Sequence, residues 1–102
     1  MSFVLRFTLE AEFDYEDALI FYEKAESGLS VRFAVELDEL FERIREHPQA
    51  YSPIFTNYRL ARLRVFYNHA VVYRLVGETI LVVAIPDGRN APDKLEKRLG
   101  NS

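Results

Sequence analysis

The apolar positions change period along the chain, and the changes mark its elements. Phe3, Leu5 and Phe7 alternate with their neighbours, so residues 3–9 read as a short first strand. From there the period becomes helical. Ala11, Tyr15, Ala18, Tyr22 and Ala25 are spaced 4, 3, 4 and 3 apart and make one helical stripe. Thr8 stands where an N-cap belongs, and Glu10 and Glu12 fall in the first turn, where carboxylates complement the helix dipole. Gly28 is placed to end this helix as a C-cap residue. Leu29, Phe33, Leu37, Leu40 and Ile44 form a second stripe, with Phe41 beside it and a Glu39–Arg43 pair on the exposed side. Pro48 stops that helix at His47. So short a connection between helices predicts an antiparallel αα-hairpin.

The segment 48–56 contains Pro48, Ser52 and Pro53 and reads as a loop. Beyond it the period becomes 2. Residues 58–66 place Ala61, Leu63 and Val65 on one face and Arg62 and Arg64 on the other. Residues 70–76 and 79–85 read as two further strands, joined across Gly77-Glu78 as a tight hairpin. Pro86-Asp87-Gly88 is a turn, and Pro92–Leu99 has the length of two helical turns. The fold class is α+β, in the order β-α-α-β-β-β. A helical hairpin covers one face of a small, mostly antiparallel four-stranded sheet. The last two strands are apolar on both sides, with Val71, Tyr73 and Leu75 on one face, Val72 and Val76 on the other, and an unbroken run from Ile80 to Ile85. Such strands expect cover on both faces. The tail is short, so the second face is expected to meet a partner, either a second copy or a different chain.

Composition narrows the class. The chain has 102 residues, 49% hydrophobic and 28% charged, which suits one domain over residues 1–102. It has no cysteine, which excludes disulfides, a thiol nucleophile and a zinc-thiolate site, and two histidines do not build a histidine-rich metal centre. No apolar run reaches the roughly 20 residues of a membrane span, and none resembles a signal h-region, so the expected location is the cytoplasm. The net charge of −3 conceals a division. Residues 1–46 carry twelve acids against five bases; residues 47–77 carry Arg59, Arg62, Arg64 and Arg74 and no acid; residues 78–102 carry four of each. The arginine stretch points to a surface facing a polyanion or an acidic partner.

Most catalytic signatures are absent. The four glycines make neither a P-loop nor a dinucleotide fingerprint, and no serine sits in a nucleophile elbow. No cofactor or metal is expected. Glu10, Glu12, Asp14, Glu16 and Asp17 are dense, but they read first as a solvated helix face and second as a receiver of a basic partner segment. Arg62 and Arg64 on one strand, Arg74 on the next and Arg89 beyond the Asp-Gly turn would suit bidentate phosphate binding or stabilisation of transition-state charge. The plainer alternative is that they stay solvated or pair with Glu42 and Glu46. His69 reads as a turn residue, and His47 as the last residue of a helix.

In order along the chain stand Ala11-Glu12-Phe13-Asp14, Ala18 and Phe21-Tyr22, then Gly28-Leu29, Phe33, Leu37, Ile44, Pro48 and Tyr51. Tyr58-Arg59, Arg62-Leu63, Phe66, Val71-Val72-Tyr73-Arg74, Ile80 to Ile85, Gly88-Arg89 and Pro92 follow. This ordered set, over about residues 3–99, resembles the ParE/RelE superfamily of toxins of bacterial type II toxin–antitoxin systems. The resemblance implies a RelE/ParE-like fold and neutralisation by a cognate antitoxin laid along the sheet and helices. It implies antitoxin or target contacts at Arg59, Arg62, Arg64, Arg74, Arg89 and Tyr73; a homodimer of the free protein through the apolar second face of the sheet is left open by the sequence.

Within the superfamily, RelE-like members cleave mRNA on the ribosome, and ParE-like members act on DNA gyrase through a protein contact. For a nuclease, the matching basic positions here would be Arg62, Arg64 and Arg89. The place of the late tyrosine falls at Leu95, which transfers no proton. The resemblance is therefore closer to ParE, and implies a gyrase inhibitor rather than an enzyme. The alternatives are a ribosome-dependent endoribonuclease and a non-toxic interaction protein.

Overall fold

A computed structural model describes residues 3–89 and 92–100, with Pro92 and Asp93 described by their backbone alone. The elements are β1 (Val4–Phe7), α1 (Leu9–Ala25), α2 (Leu29–Glu46), β2 (Ser52–Ile54), β3 (Tyr58–Arg62), β4 (Ala70–Val76), β5 (Thr79–Ala84) and α3 (Pro92–Gly100). The sheet runs β1-β5-β4-β3-β2; β1 is parallel to β5, and every other pairing is antiparallel. The expected α+β class and helical hairpin are present, with five strands instead of four. The added strand, β2, lies inside the segment read as a loop. Its Pro53 is tolerated because β2 is an edge strand, where a missing N–H breaks no ladder.

Local chemistry accounts for the element ends. The Ala11 N–H donates to Thr8 Oγ1 at 3.2 Å, which caps α1 as expected. Helix α1 ends at Ala25 with Glu26 as its cap. Gly28 instead opens α2, at φ +87°, a left-handed conformation that glycine adopts without strain. Both carboxylate oxygens of Glu23 accept its N–H at 3.1 Å, and one accepts the Ser30 hydroxyl at 2.6 Å.

The α2 stripe buries Phe33, Leu37, Leu40, Phe41 and Ile44 against α1 and the inner face of the sheet. From the sheet come Ala61, Val71, Tyr73, Ile80 and Val82. The pairing of β4 with β5 shifts between Val72 and Tyr73, so Val72 faces Ala84 while Tyr73 faces Val82. At such a bulge two residues serve one face. Val83 and Ala84 both join Val72 and Leu99 in a second apolar layer outside the sheet, and Ile85 returns to the inner core.

That outer layer corrects the expected partner on the second face. Leu95 and Leu99 of α3 pack onto Val72, Val83 and Ala84, and the tail itself covers the centre of the face. A second correction concerns β3, which stops at Arg62. Arg64 and Val65 lie in the following turn, so Arg62 and Arg64 do not share a strand face, and Val65 is 65% exposed. Glu36 of α2 holds that turn. Its Oε2 accepts the N–H groups of Arg64 at 2.6 Å and Val65 at 3.1 Å, and its Oε1 accepts that of Phe66 at 3.1 Å. Glu42, one of the acids offered as an alternative partner for the strand arginines, is paired with Arg45 of its own helix at 3.7 Å.

Candidate functional site

A groove of about 900 Å³ runs between α1, the β2–β3 turn, residues 84–88 and α3. Phe21, Ile54, Phe55, Leu60, Ile85 and Leu95 give it apolar walls, and Arg62 and Lys94 stand among its charged residues. One wall is fixed by an ion pair. Arg98 Nη1 donates to Asp14 Oδ2 at 2.6 Å and Nη2 to Oδ1 at 3.2 Å. Asp14 Oδ2 also accepts the Ile85 N–H at 2.9 Å, and Arg98 Nη1 reaches the Val83 carbonyl at 3.3 Å. These two backbone groups lie at the end of β5, where β1 has already ended, and the ion pair takes them up. Asp14 is therefore a structural anchor within the acidic face of α1.

The opposite end holds a polar cluster. The Tyr22 hydroxyl and His69 Nδ1 are 2.8 Å apart and buried. His69 Nε2 faces Asp87 Oδ2 at 3.9 Å, which favours a proton on Nε2 and leaves Nδ1 to accept from the tyrosine. Burial holds the His69 pKa below its ordinary value, opposed in part by the Asp87 carboxylate. Arg89 grips Asp87 with two side-chain bonds, Nε to Oδ1 at 2.9 Å and Nη2 to Oδ2 at 2.8 Å. That bonding holds the Asp87 carboxyl below the usual range. The Arg89 guanidinium also lies 4.5 Å from the centre of the Phe21 ring, a cation–π contact.

The arginines named from the sequence thus separate. Arg62 lines the groove and is exposed, its one described contact a long 3.4 Å bond to the Tyr67 carbonyl. Arg74 shares the outer face of the sheet but sits four residues along β4 from Ala70, the register partner of Arg62, roughly 13 Å away. Arg64 stands on the turn held by Glu36, beside α2. Arg59 faces inward, where its Nη1 donates to the Tyr51 carbonyl at 2.7 Å and ties down the start of β2. Tyr73 is fully buried; its hydroxyl donates to the Pro48 carbonyl at 2.6 Å, and burial pushes its pKa up to about 12. Tyr73 is a core residue and not a surface contact, because position 73 faces the helices and not solvent.

Sequence reasoning missed the Tyr22–His69–Asp87 cluster. The available signal was Tyr22 on the buried stripe of α1, which obliges its hydroxyl to find a partner. Among the described residues no group of His, Asp or Glu gathers as metal ligands would, and no helix is long and apolar enough to cross a membrane. Of the residues lining the groove, His69 is buried and hydrogen-bonded, Asp87 is matched by the neighbouring Arg89, and Leu95 is apolar. Such walls suit a polypeptide segment with apolar anchors more than proton transfer.

Residues 5–92 match the family model described as the ParE toxin of the parDE type II toxin–antitoxin system. The chain is 29% identical over 89 residues to Toxin ParE2 of Mycobacterium tuberculosis (strain CDC 1551 / Oshkosh), covering 86% of this chain and 84% of that protein. Its fold is similar to a chain of the chromosomal ParDE system from P. aeruginosa, with a TM-score of 0.73 at 15% identity over 83% of this chain and 95% of that one. It is also similar to the isolated E. coli RelE toxin, with a TM-score of 0.59 at 16% identity over 95% of this chain and 98% of that one.

Proposed function

The chain belongs to the ParE family of toxins of type II toxin–antitoxin systems, and from that premise we propose that it acts by inhibiting DNA gyrase through a protein contact and is neutralised by a cognate antitoxin. The observation that carries the choice of target is the chemistry of the groove. An mRNA-cleaving site needs a group that takes the ribose 2′-OH proton and another that returns a proton to the leaving oxygen. Here Leu95 occupies the late position, His69 is buried against Tyr22, and Arg89 is doubly bonded to Asp87. Arg62, with Arg64 and Arg74 outside the groove, remains available to acidic side chains of an antitoxin.

The test uses purified protein with gyrase and relaxed plasmid. Supercoiling falls with toxin concentration, cleavage complexes accumulate, and the antitoxin reverses both. Intact supercoiling, combined with new mRNA 5′ ends inside ribosomal A-site codons after induction, would overturn the gyrase reading in favour of the nuclease.

A further inference from the structure

Helix α1 is apolar on two opposite sides, and only one of them is used in the core. Ala11, Ala18 and Tyr22 are buried, while Leu9, Phe13 and Ile20 are 63%, 55% and 50% exposed. At 3.6 residues per turn, Leu9, Phe13, Glu16 and Ile20 fall within about 60° of one another, on the side away from the buried stripe. We propose that this outward face of α1 is a docking surface for a basic amphipathic helix of a partner protein.

The rim of the face sets the partner's charge. Between Leu9 and Ala25 the helix carries six acids and one base, Lys24. Folding uses two of the acids: Asp14 anchors Arg98, and Glu23 accepts from Gly28 and Ser30. Glu12, Glu16 and Asp17 form no ion pair or hydrogen bond among the described residues. Glu12 and Glu16 stand four apart, a like-charge spacing that weakens a helix. The exposed apolar row lies outside the core, and of the unpaired acids beside it only Glu12, in the first turn, favours the helix through its dipole.

Charge complementarity selects the occupant. A second copy packed symmetrically on this face would bring two acidic rims together. An anionic lipid surface meets the same repulsion. A helix with apolar anchors in register and Lys or Arg on its flanks satisfies both the row and the rim. This surface is on a different side of α1 from Ala18 and Phe21, which face the groove, so its test does not depend on the target of the toxin.

The probe is a fluorescein-labelled 18-residue peptide with leucine at i, i+3, i+4 and i+7 and lysine elsewhere, followed by anisotropy against the full chain. A counterpart has glutamate for lysine. The lysine peptide binds with strong salt dependence, and the glutamate peptide does not. Phe13→Ser with Ile20→Ser weakens binding about tenfold or more. Glu12→Gln with Glu16→Gln, which leaves every described contact intact, weakens it and flattens the salt dependence. The matched pair Glu39→Gln with Glu42→Gln on α2 leaves binding unchanged. Equal binding of both peptides, or equal losses from the α1 and α2 pairs, would overturn the proposal. So would a dimer of the protein alone in sedimentation that Phe13→Ser abolishes, since the occupant would then be a second copy.

Discussion

The Tyr22 hydroxyl meets His69 Nδ1 at 2.8 Å across 47 residues of sequence, and it joins the last turn of α1 to the residue before β4. Both residues are buried, and the rings of Phe33 and Phe66 pack around them. Removing the hydroxyl leaves an imidazole nitrogen unpaired in an apolar surround. Tyr22→Phe is expected to lower stability by about 1–2 kcal/mol, read as a shift in the urea midpoint at unchanged slope.

The same imidazole makes stability depend on pH. Burial depresses the His69 pKa in the folded chain, whereas the unfolded chain titrates near the ordinary value of about 6.5. Above that value both states are neutral and the contribution is complete. As pH falls below it, the unfolded state takes up a proton that the native state refuses, and stability declines until the lower folded pKa is reached. Melting curves between pH 5 and pH 8 should therefore diverge for wild type and His69→Gln, with the steeper acid loss in wild type. Parallel curves would remove His69 from the account.

What the sequence reveals and what it conceals divide along contact range. Thr8 capping Ala11, the Phe33–Ile44 stripe and the hairpin at Gly77 are set by neighbours within a turn or two, and periodicity displays them. The Tyr22–His69 bond, the Glu36 cap on residues 64–66 and the Asp14–Arg98 pair join residues 28 to 84 positions apart, and no spacing rule reaches that far. Strand β2 has three residues, one of them proline, too few to show alternation. The arginines mislead for a related reason. Period-2 alternation predicts a strand through Phe66, but Glu36 supplies the N–H acceptors that let the chain turn at Arg64 instead.

That turn gives a direct test. Glu36 satisfies three consecutive backbone N–H groups with one carboxylate. Glu36→Ala leaves them to water and frees the turn, for a loss of about 1–2 kcal/mol. Amide exchange at Arg64, Val65 and Phe66 should accelerate more than elsewhere in the chain. Uniform acceleration would mean that the residue acts on global stability alone.

The C-terminal helix depends on Arg98. Its guanidinium is bidentate to Asp14 and also bonds the Val83 carbonyl, a planar geometry that lysine does not reproduce. Both Arg98→Ala and Arg98→Lys should raise amide exchange in α3 while β4 and β5 stay protected. If the lysine variant holds α3 as firmly as arginine, the packing of Leu95 and Leu99 suffices and the fork is dispensable.

Phe55 offers a prediction of opposite sign. It is the one described non-glycine residue at positive φ, +53°, in the β2–β3 turn, and its side chain is 55% exposed on the rim of the groove. A left-handed conformation costs a residue with a Cβ about 1–2 kcal/mol, and a half-exposed ring recovers only part of that by burial. Glycine adopts the same backbone freely, though it is more disordered when unfolded. Phe55→Gly should therefore raise stability by about 0.5 kcal/mol, because relief of the backbone strain exceeds the added unfolded-state entropy and the partial burial of the ring. Urea unfolding at neutral pH decides the sign. A destabilised variant would show that the packing of Phe55 against the other apolar walls of the groove outweighs the backbone strain.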